Sequence, residues 1–149
     1  MKDLLKELNA CKEAVEWAGD KTWEEIYNSC HRGDWLLWLF RKTMKDNEAN
    51  LRLLTLAKGH CANTVRHLMK DERSIKAVDT AIAFGEGKAT REELNAAAYA
   101  YAYAAAAYAY AYAYAAAYAY AARIENRKQT ADICRKYLPI EIWNIGGNK

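Results

Sequence analysis

The chain has 149 residues, a formal net charge of +3, four cysteines and one proline. This length suffices for one domain with its own core, so neither a disulfide framework nor a structural metal is needed. The small net charge argues against a nucleic-acid-binding protein, and the lack of a continuous apolar stretch at the N-terminus predicts a cytoplasmic protein with reduced, packed or half-packed cysteines and no cofactor.

Apolar residues recur at helical spacing along most of the chain, which predicts an all-α, single-domain helical bundle of about six to seven helices. Residues 1–88 form the helical core in this interpretation. Residues 90–138 form a long Ala/Tyr-rich helix and a C-terminal helix, and residues 139–149 form a tail. The first amphipathic helix is expected to run from Asp3 to a glycine stop at Gly19.

Capping signals bound the next two helices. Thr22 and Glu25 form a capping box at the start of the second helix, and Gly33 is a favourable stop. Asp34 is expected to cap the third helix. Residues 35–40 are apolar around the whole helical circumference, so we predict that they lie at the centre of the core.

The later helices follow the same signals. Residues 46–47 predict a turn, the following apolar stripe runs to about Lys70, and a shorter helix stops at Gly85. Thr90 and Glu93 form a second capping box, at which the longest helix is expected to begin.

Residues 96–122 consist only of alanine and tyrosine. Alanine is the best helix former and a poor strand former, so a helix of about 40 Å is favoured. Its tyrosines fall on two opposed ridges, which either pack within the chain or contact a partner or a second copy, so homo-oligomerisation stays open. The length of the run permits a membrane span, but hydroxyl groups at all depths argue against one. The partner-binding candidates on this helix are Tyr101, Tyr108, Tyr110, Tyr112 and Tyr114.

The C-terminal helix is expected to continue to Tyr137 and to end at Pro139. Its polar composition allows a break within residues 126–130. The apolar side chains of Trp143 and Ile145 are predicted to fold back over the core.

No catalytic or metal-ligand spacing stands out. The pairs at residues 30–31 and 60–61 each join a cysteine to a histidine, but they would hold zinc only if their helices converge, so packed thiols are the preferred interpretation. His67 precedes Asp71 by one turn without an accompanying nucleophile, which favours a helix-end ion network over a general base. We therefore predict no enzyme and no metal site. The remaining binding candidates are Arg32, Asp34, Arg66 and Arg73.

Several stretches together carry a family resemblance. They are CHRGDWLLW at residues 30–38, GKATREEL at residues 87–94, the Ala-rich run, and ADICR at residues 131–135. In this order they are similar to the helical immunity-protein family of bacterial polymorphic toxin systems, whose members also occur on phages and prophages. The resemblance implies a protein that neutralises a toxin or effector by direct binding. The run here lacks the interspersed charges expected of that family.

Two other functions are compatible with the same residues. One is an oligomer that sequesters a small signalling molecule in a pocket between helices, with Arg66 and Arg73 as the recognising cations. The other is self-assembly through the tyrosine ridges.

Overall fold

In the computed structural model, residues 1–100 and 120–145 are described, and every regular element within them is helical. The all-α prediction is confirmed. Most of the predicted Ala/Tyr-rich helix, including its five candidate tyrosines, lies outside the described residues. The helices are α1 (Lys2–Glu7), α2 (Lys12–Ala18), α3 (Trp23–Ser29), α4 (Gly33–Thr43), α5 (Glu48–Asn63), α6 (Glu72–Gly85), α7 (residues 91–100) and α8 (Tyr120–Tyr137), with 3₁₀ turns at Arg66–Leu68 and Ile140–Ile142.

The first predicted helix is in fact two helices. A turn separates α1 from α2, and Asn9 within it adopts a φ of 59°. Asparagine tolerates this left-handed conformation better than most residues that carry a side chain. The prediction of one continuous helix was wrong because the apolar spacing continues across the turn. The turn allows Leu5 and Ala18, on separate helices, both to reach the core.

Helix α3 begins at the predicted capping box. The Glu25 N–H donates to Thr22 Oγ1 at 3.2 Å, and the Thr22 N–H donates to Glu25 Oε2 at 2.7 Å. The predicted stop at Gly33 was wrong, because Cys30 already has extended backbone angles and ends the helix after Ser29.

Gly33 opens α4 instead of closing α3. Its role is close packing, since a Cβ at this position would overlap Thr130 Oγ1 on α8. The predicted cap was also wrong: Arg32 occupies the N-cap position, and the carboxylate of Asp34 bonds to the Arg32 guanidinium.

Helix α5 ends earlier than the predicted boundary at Lys70. The chain leaves the helix after Asn63, where the Thr64 hydroxyl donates to Cys61 O at 2.7 Å, and a 3₁₀ turn follows. The apolar stripe continued through this turn, which misled the prediction. The second capping box is confirmed, with the Glu93 N–H donating to Thr90 Oγ1 at 3.1 Å.

Helix α8 organises the bundle. It packs against both α4 and α5, while α5 also packs against α6. It is continuous through residues 126–130, where the Asn126 amide donates to Thr64 Oγ1 at 2.8 Å. The allowed break is therefore absent from this part of the chain.

The core forms partly where predicted. Leu36, Leu39 and Phe40 are buried, whereas Trp35, Leu37 and Trp38 are half-buried, so only one face of residues 35–40 supplies its centre. Trp143 and Ile145 fold back onto it as expected. The Trp143 indole N–H donates to Leu138 O at 2.9 Å, which satisfies the one polar atom of a buried aromatic ring. Within residues 1–100 and 120–145, no helix combines the length and apolar character required to cross a bilayer.

Candidate binding pocket

A cavity of about 420 Å³ opens between α2, α3 and α4, next to the turn that joins α1 to α2. Its volume lies within the range of small-molecule pockets, about 300–1,000 Å³. We call it the tryptophan pocket, because three half-buried indoles line it: Trp17, Trp35 and Trp38.

The sequence produces this cavity by opposing small side chains to large ones. Ala10, Ala14 and Ala18 line it at intervals of four residues, which places the last two on one face of α2. Trp35 and Trp38 lie opposite on α4. Because alanine fills little space against an indole ring, the two helices leave a recess between them.

Two of the three indoles, those of Trp17 and Trp35, make aromatic and cation–π contacts with neighbouring side chains. The Trp17 and Trp35 rings lie 5.9 Å apart between centroids. The ammonium group of Lys21 lies 4.8 Å from the Trp17 ring, and the guanidinium of Arg32 lies 4.4 Å from the Trp35 ring. Such cation–π contacts stabilise ring positions modestly. Among the described residues, none makes a ring stack or cation–π contact with Trp38.

An ion pair stands at the rim of the pocket. Arg32 Nε donates to Asp34 Oδ1 at 2.8 Å, and a second guanidinium nitrogen donates to Oδ2 at 2.6 Å. Burial alone would raise the pKa of Asp34, but the hydrogen bonds and charge of Arg32 lower it below its usual value. Asp34 is therefore ionised at neutral pH.

The two partners of this pair differ in exposure. The Arg32 side chain is 12% exposed, whereas those of Asp34 and Glu13, its second and weaker partner at 3.5 Å, are 56% and 72% exposed. The cation is thus covered and the anions face outward.

The predicted candidates separate into two places. Asp34 lines the tryptophan pocket with Arg32 beside it, whereas Arg66 and Arg73 do not line it. Arg66 bonds through two nitrogens to Asp79 on α6. Arg73 pairs with the N-cap of α6, Asp71, whose carboxylate also accepts the Arg73 N–H at 2.8 Å. Of the ion network predicted at this helix junction, the Arg73–Asp71 pair is present, whereas Arg66 pairs with Asp79 instead.

Sequence reasoning identified the rim of the pocket and missed the pocket itself. Trp38 was expected at the centre of the core and Trp17 was not singled out, and the pocket between helices considered for a small molecule was assigned to Arg66 and Arg73 instead. The available signal was the four-residue spacing of Ala10, Ala14 and Ala18, of which the last two lie on a helix that faces tryptophans. That spacing shows a small-residue face, but the packing partner is set by the tertiary fold.

The cysteines pack mostly as small apolar residues. Cys30 and Cys134 are buried and Cys61 is half-buried, whereas Cys11 is exposed, contrary to the prediction. The Cys134 thiol donates to Gly33 O at 3.5 Å, and the neighbouring Cys61 thiol and burial both raise its pKa. In the part of the chain that the structure describes, no three His, Cys, Asp or Glu side chains gather as a metal-binding group.

Comparisons of the chain with protein-family models, curated proteins and solved structures gave no match. Membership of the immunity-protein family accordingly stays a prediction from the sequence pattern.

Proposed function

We propose that this chain is a non-enzymatic binding protein that neutralises a toxin or effector protein by direct contact through the face bearing the tryptophan pocket. The observation that carries the proposal is the open cavity with three indoles and the Arg32–Asp34 pair at its rim. Tryptophan and arginine are the residues most enriched among the energetic anchors of protein interfaces. A concave apolar surface with few polar groups provides the complementary shape.

The chemistry of the rim favours binding over catalysis. Asp34 is held by two hydrogen bonds from Arg32, and its lowered pKa makes it a weak proton acceptor. The same pair is suited to recognition, since a fixed carboxylate presents acceptors in a defined direction.

The pocket can be tested with two variants of opposite kind. Trp38→Ala removes an indole that has no cation–π partner among the described residues, and Ala14→Leu fills the recess from the α2 side. Leu68→Ala is the matched control, because Leu68 is an apolar side chain with 61% exposure outside the pocket. Far-UV circular dichroism and thermal unfolding would verify that each variant folds.

The measurement is affinity purification from a bacterial lysate, followed by co-expression of the recovered protein. We expect the native chain and Leu68→Ala to retain a stoichiometric protein that is toxic when expressed alone and harmless when co-expressed. Both pocket variants should weaken its binding by about tenfold or more, as expected for an interface anchor. A partner held equally well by folded Trp38→Ala and Ala14→Leu, or an eluate with only a small molecule, would refute the proposal.

The tyrosine candidates need a separate comparison. The double substitution Tyr110→Ala/Tyr112→Ala should also weaken the partner if the Ala/Tyr run contributes to the same interface. Unchanged affinity would remove these two residues from the interface and leave the pocket as its centre.

A further inference from the structure

The tryptophan pocket has one charged lining residue among those described, and it is an acid. Asp34 lines the cavity, whereas the Arg32 guanidinium lies over the outer Trp35 ring with little exposure. Glu13, the second carboxylate that pairs with Arg32, is more exposed than Asp34. Two carboxylates, those of Asp34 and Glu13, therefore face solvent beside the mouth, while the ammonium of Lys21 lies over the Trp17 ring and the whole chain is positive.

Asp34 retains the capacity to bind another cation. Each of its oxygens accepts one hydrogen bond from Arg32, and a carboxylate oxygen has two lone-pair sites. A lysine or arginine approaching from solvent can use the remaining sites without displacing Arg32. An acidic group in the same position would meet two carboxylates and be repelled.

The rest of the lining is suited to one large apolar side chain. The alanines of α2 and the indole of Trp38 form opposite walls, and Leu39 and Ile26 contribute further apolar surface. On α4 the lining residues run only from Asp34 to Leu39, less than two helical turns, so the cavity of about 420 Å³ is a local recess on that helix. It therefore fits an anchor residue with its adjoining backbone, not an extended helical face.

From this arrangement we infer that the occupant of the tryptophan pocket is a segment of a protein partner in which a large aromatic or aliphatic residue adjoins a lysine or arginine. The apolar side chain lies between α2 and Trp38, and the neighbouring cation rests on Asp34. This inference rests on the proposed function and specifies the chemistry of the partner.

Short peptides test the pairing of anchor and charge. The probes are acetyl-Phe-Lys-amide, acetyl-Phe-Glu-amide and acetyl-Ala-Lys-amide, titrated into the full chain with ¹⁵N-labelled indoles. The five tryptophans provide internal controls. The pocket indoles of Trp17, Trp35 and Trp38 should shift, whereas those of Trp23 and Trp143, which contact each other at 4.7 Å between ring centroids, should not.

We expect acetyl-Phe-Lys-amide to bind about fivefold more tightly than acetyl-Phe-Glu-amide, because an exposed ion pair is replaced by like-charge repulsion. Acetyl-Ala-Lys-amide should produce no saturable shift. Asp34→Asn should abolish or reverse the preference for lysine. The matched control is Asp79→Asn, which removes another arginine-paired carboxylate away from the pocket and should leave the preference intact.

Four results would overturn the inference: equal affinity for the two phenylalanine peptides, tighter binding of the glutamate peptide, no shift at the pocket indoles, or an intact preference in folded Asp34→Asn. Phenethylamine is a free aromatic amine without a peptide backbone. If it bound tenfold more tightly than the lysine peptide, the occupant would be a small aromatic amine, and the inference of a protein segment would be overturned. The proposed function fails by a different result: if the folded variants Trp38→Ala and Ala14→Leu still retain the toxic partner, it is refuted regardless of the peptide affinities.

Discussion

Two sides of α4 are packed in opposite ways. On the side that contacts α8, Gly33 lets the two helices approach until no room remains for a Cβ beside Thr130. We call this contact between Gly33 and Thr130 the closed seam. On the side that contacts α2, Ala14 and Trp38 line the tryptophan pocket of about 420 Å³. We call this contact between α2 and α4 the open seam. A small residue thus brings helices together at one seam and leaves a cavity at the other.

The difference comes from what faces the small residue. At the closed seam the partner is the backbone and short side chain of Thr130, so two main chains can meet. At the open seam bulky indoles hold the helices apart, and the alanines cannot fill the space. Composition alone would treat both as tight small-residue contacts, whereas only the first contributes close packing.

The largest expected effect on stability comes from comparing two tryptophans, Trp143, which packs against α4, and Trp38, which belongs to α4. Trp143 is 2% exposed and lies 4.9 Å from the Phe40 ring between centroids, so Trp143→Ala should lower the free energy of unfolding by about 3–5 kcal/mol. Trp38→Ala should cost about 1–2 kcal/mol, because its ring already borders open space. Urea denaturation measures both values. Equal losses would show that the open seam is packed as core.

A smaller effect is expected from adding methyl groups at each seam. Gly33→Ala places a Cβ 2.6 Å from the Thr130 backbone carbon, which should destabilise the fold by about 1–3 kcal/mol despite the better helix propensity of alanine. Ala14→Leu adds more atoms but enters the recess, so it should change stability by less than about 1 kcal/mol. Thermal unfolding of both variants checks the contrast. A stable Gly33→Ala protein would mean that α8 can shift away without loss.

These contrasts show which features local sequence can reveal. The two capping boxes at Thr22 and Thr90 were predictable because each is complete within four residues. The contribution of residues 35–40 to the core was predictable because an apolar run is also a local property, but the half-burial of Trp35, Leu37 and Trp38 was not. The turn at Asn9 was not, since the apolar spacing is the same on both sides of it.

The features that could not be predicted from the sequence depend on contacts between residues far apart in the chain. Gly33 carries both the signature of a helix stop and that of a close helix contact, and only the position of Thr130 decides between them. The rim of the candidate site was found because Arg32 and Asp34 are two residues apart. Its cavity was missed because the opposing wall, Ala14 and Trp17, belongs to another helix.

The smallest expected effect concerns the charge at the open seam. Both Asp34 and Asp79 have a pKa below the usual value of about 3.9 through their arginine partners, although burial opposes the shift at each. A depressed folded-state pKa contributes stability above the unfolded value, and this contribution is lost as pH falls through the folded value. Because both side chains are more than half exposed, Asp34→Asn and Asp79→Asn should each cost less than about 1 kcal/mol at pH 7.

The same two variants separate stability from recognition. Urea titrations at pH 7 and at successively lower pH should show that the small stability deficits of Asp34→Asn and Asp79→Asn shrink together as the pH falls through the lowered folded-state pKa values, since the native carboxylates then become protonated as well. Only Asp34→Asn should change the preference between lysine and glutamate peptides at pH 7, because Asp34 alone of the two lines the tryptophan pocket. If both variants lost that preference, the charge would act through the net field of the protein, and the rim carboxylate would not be a specific contact.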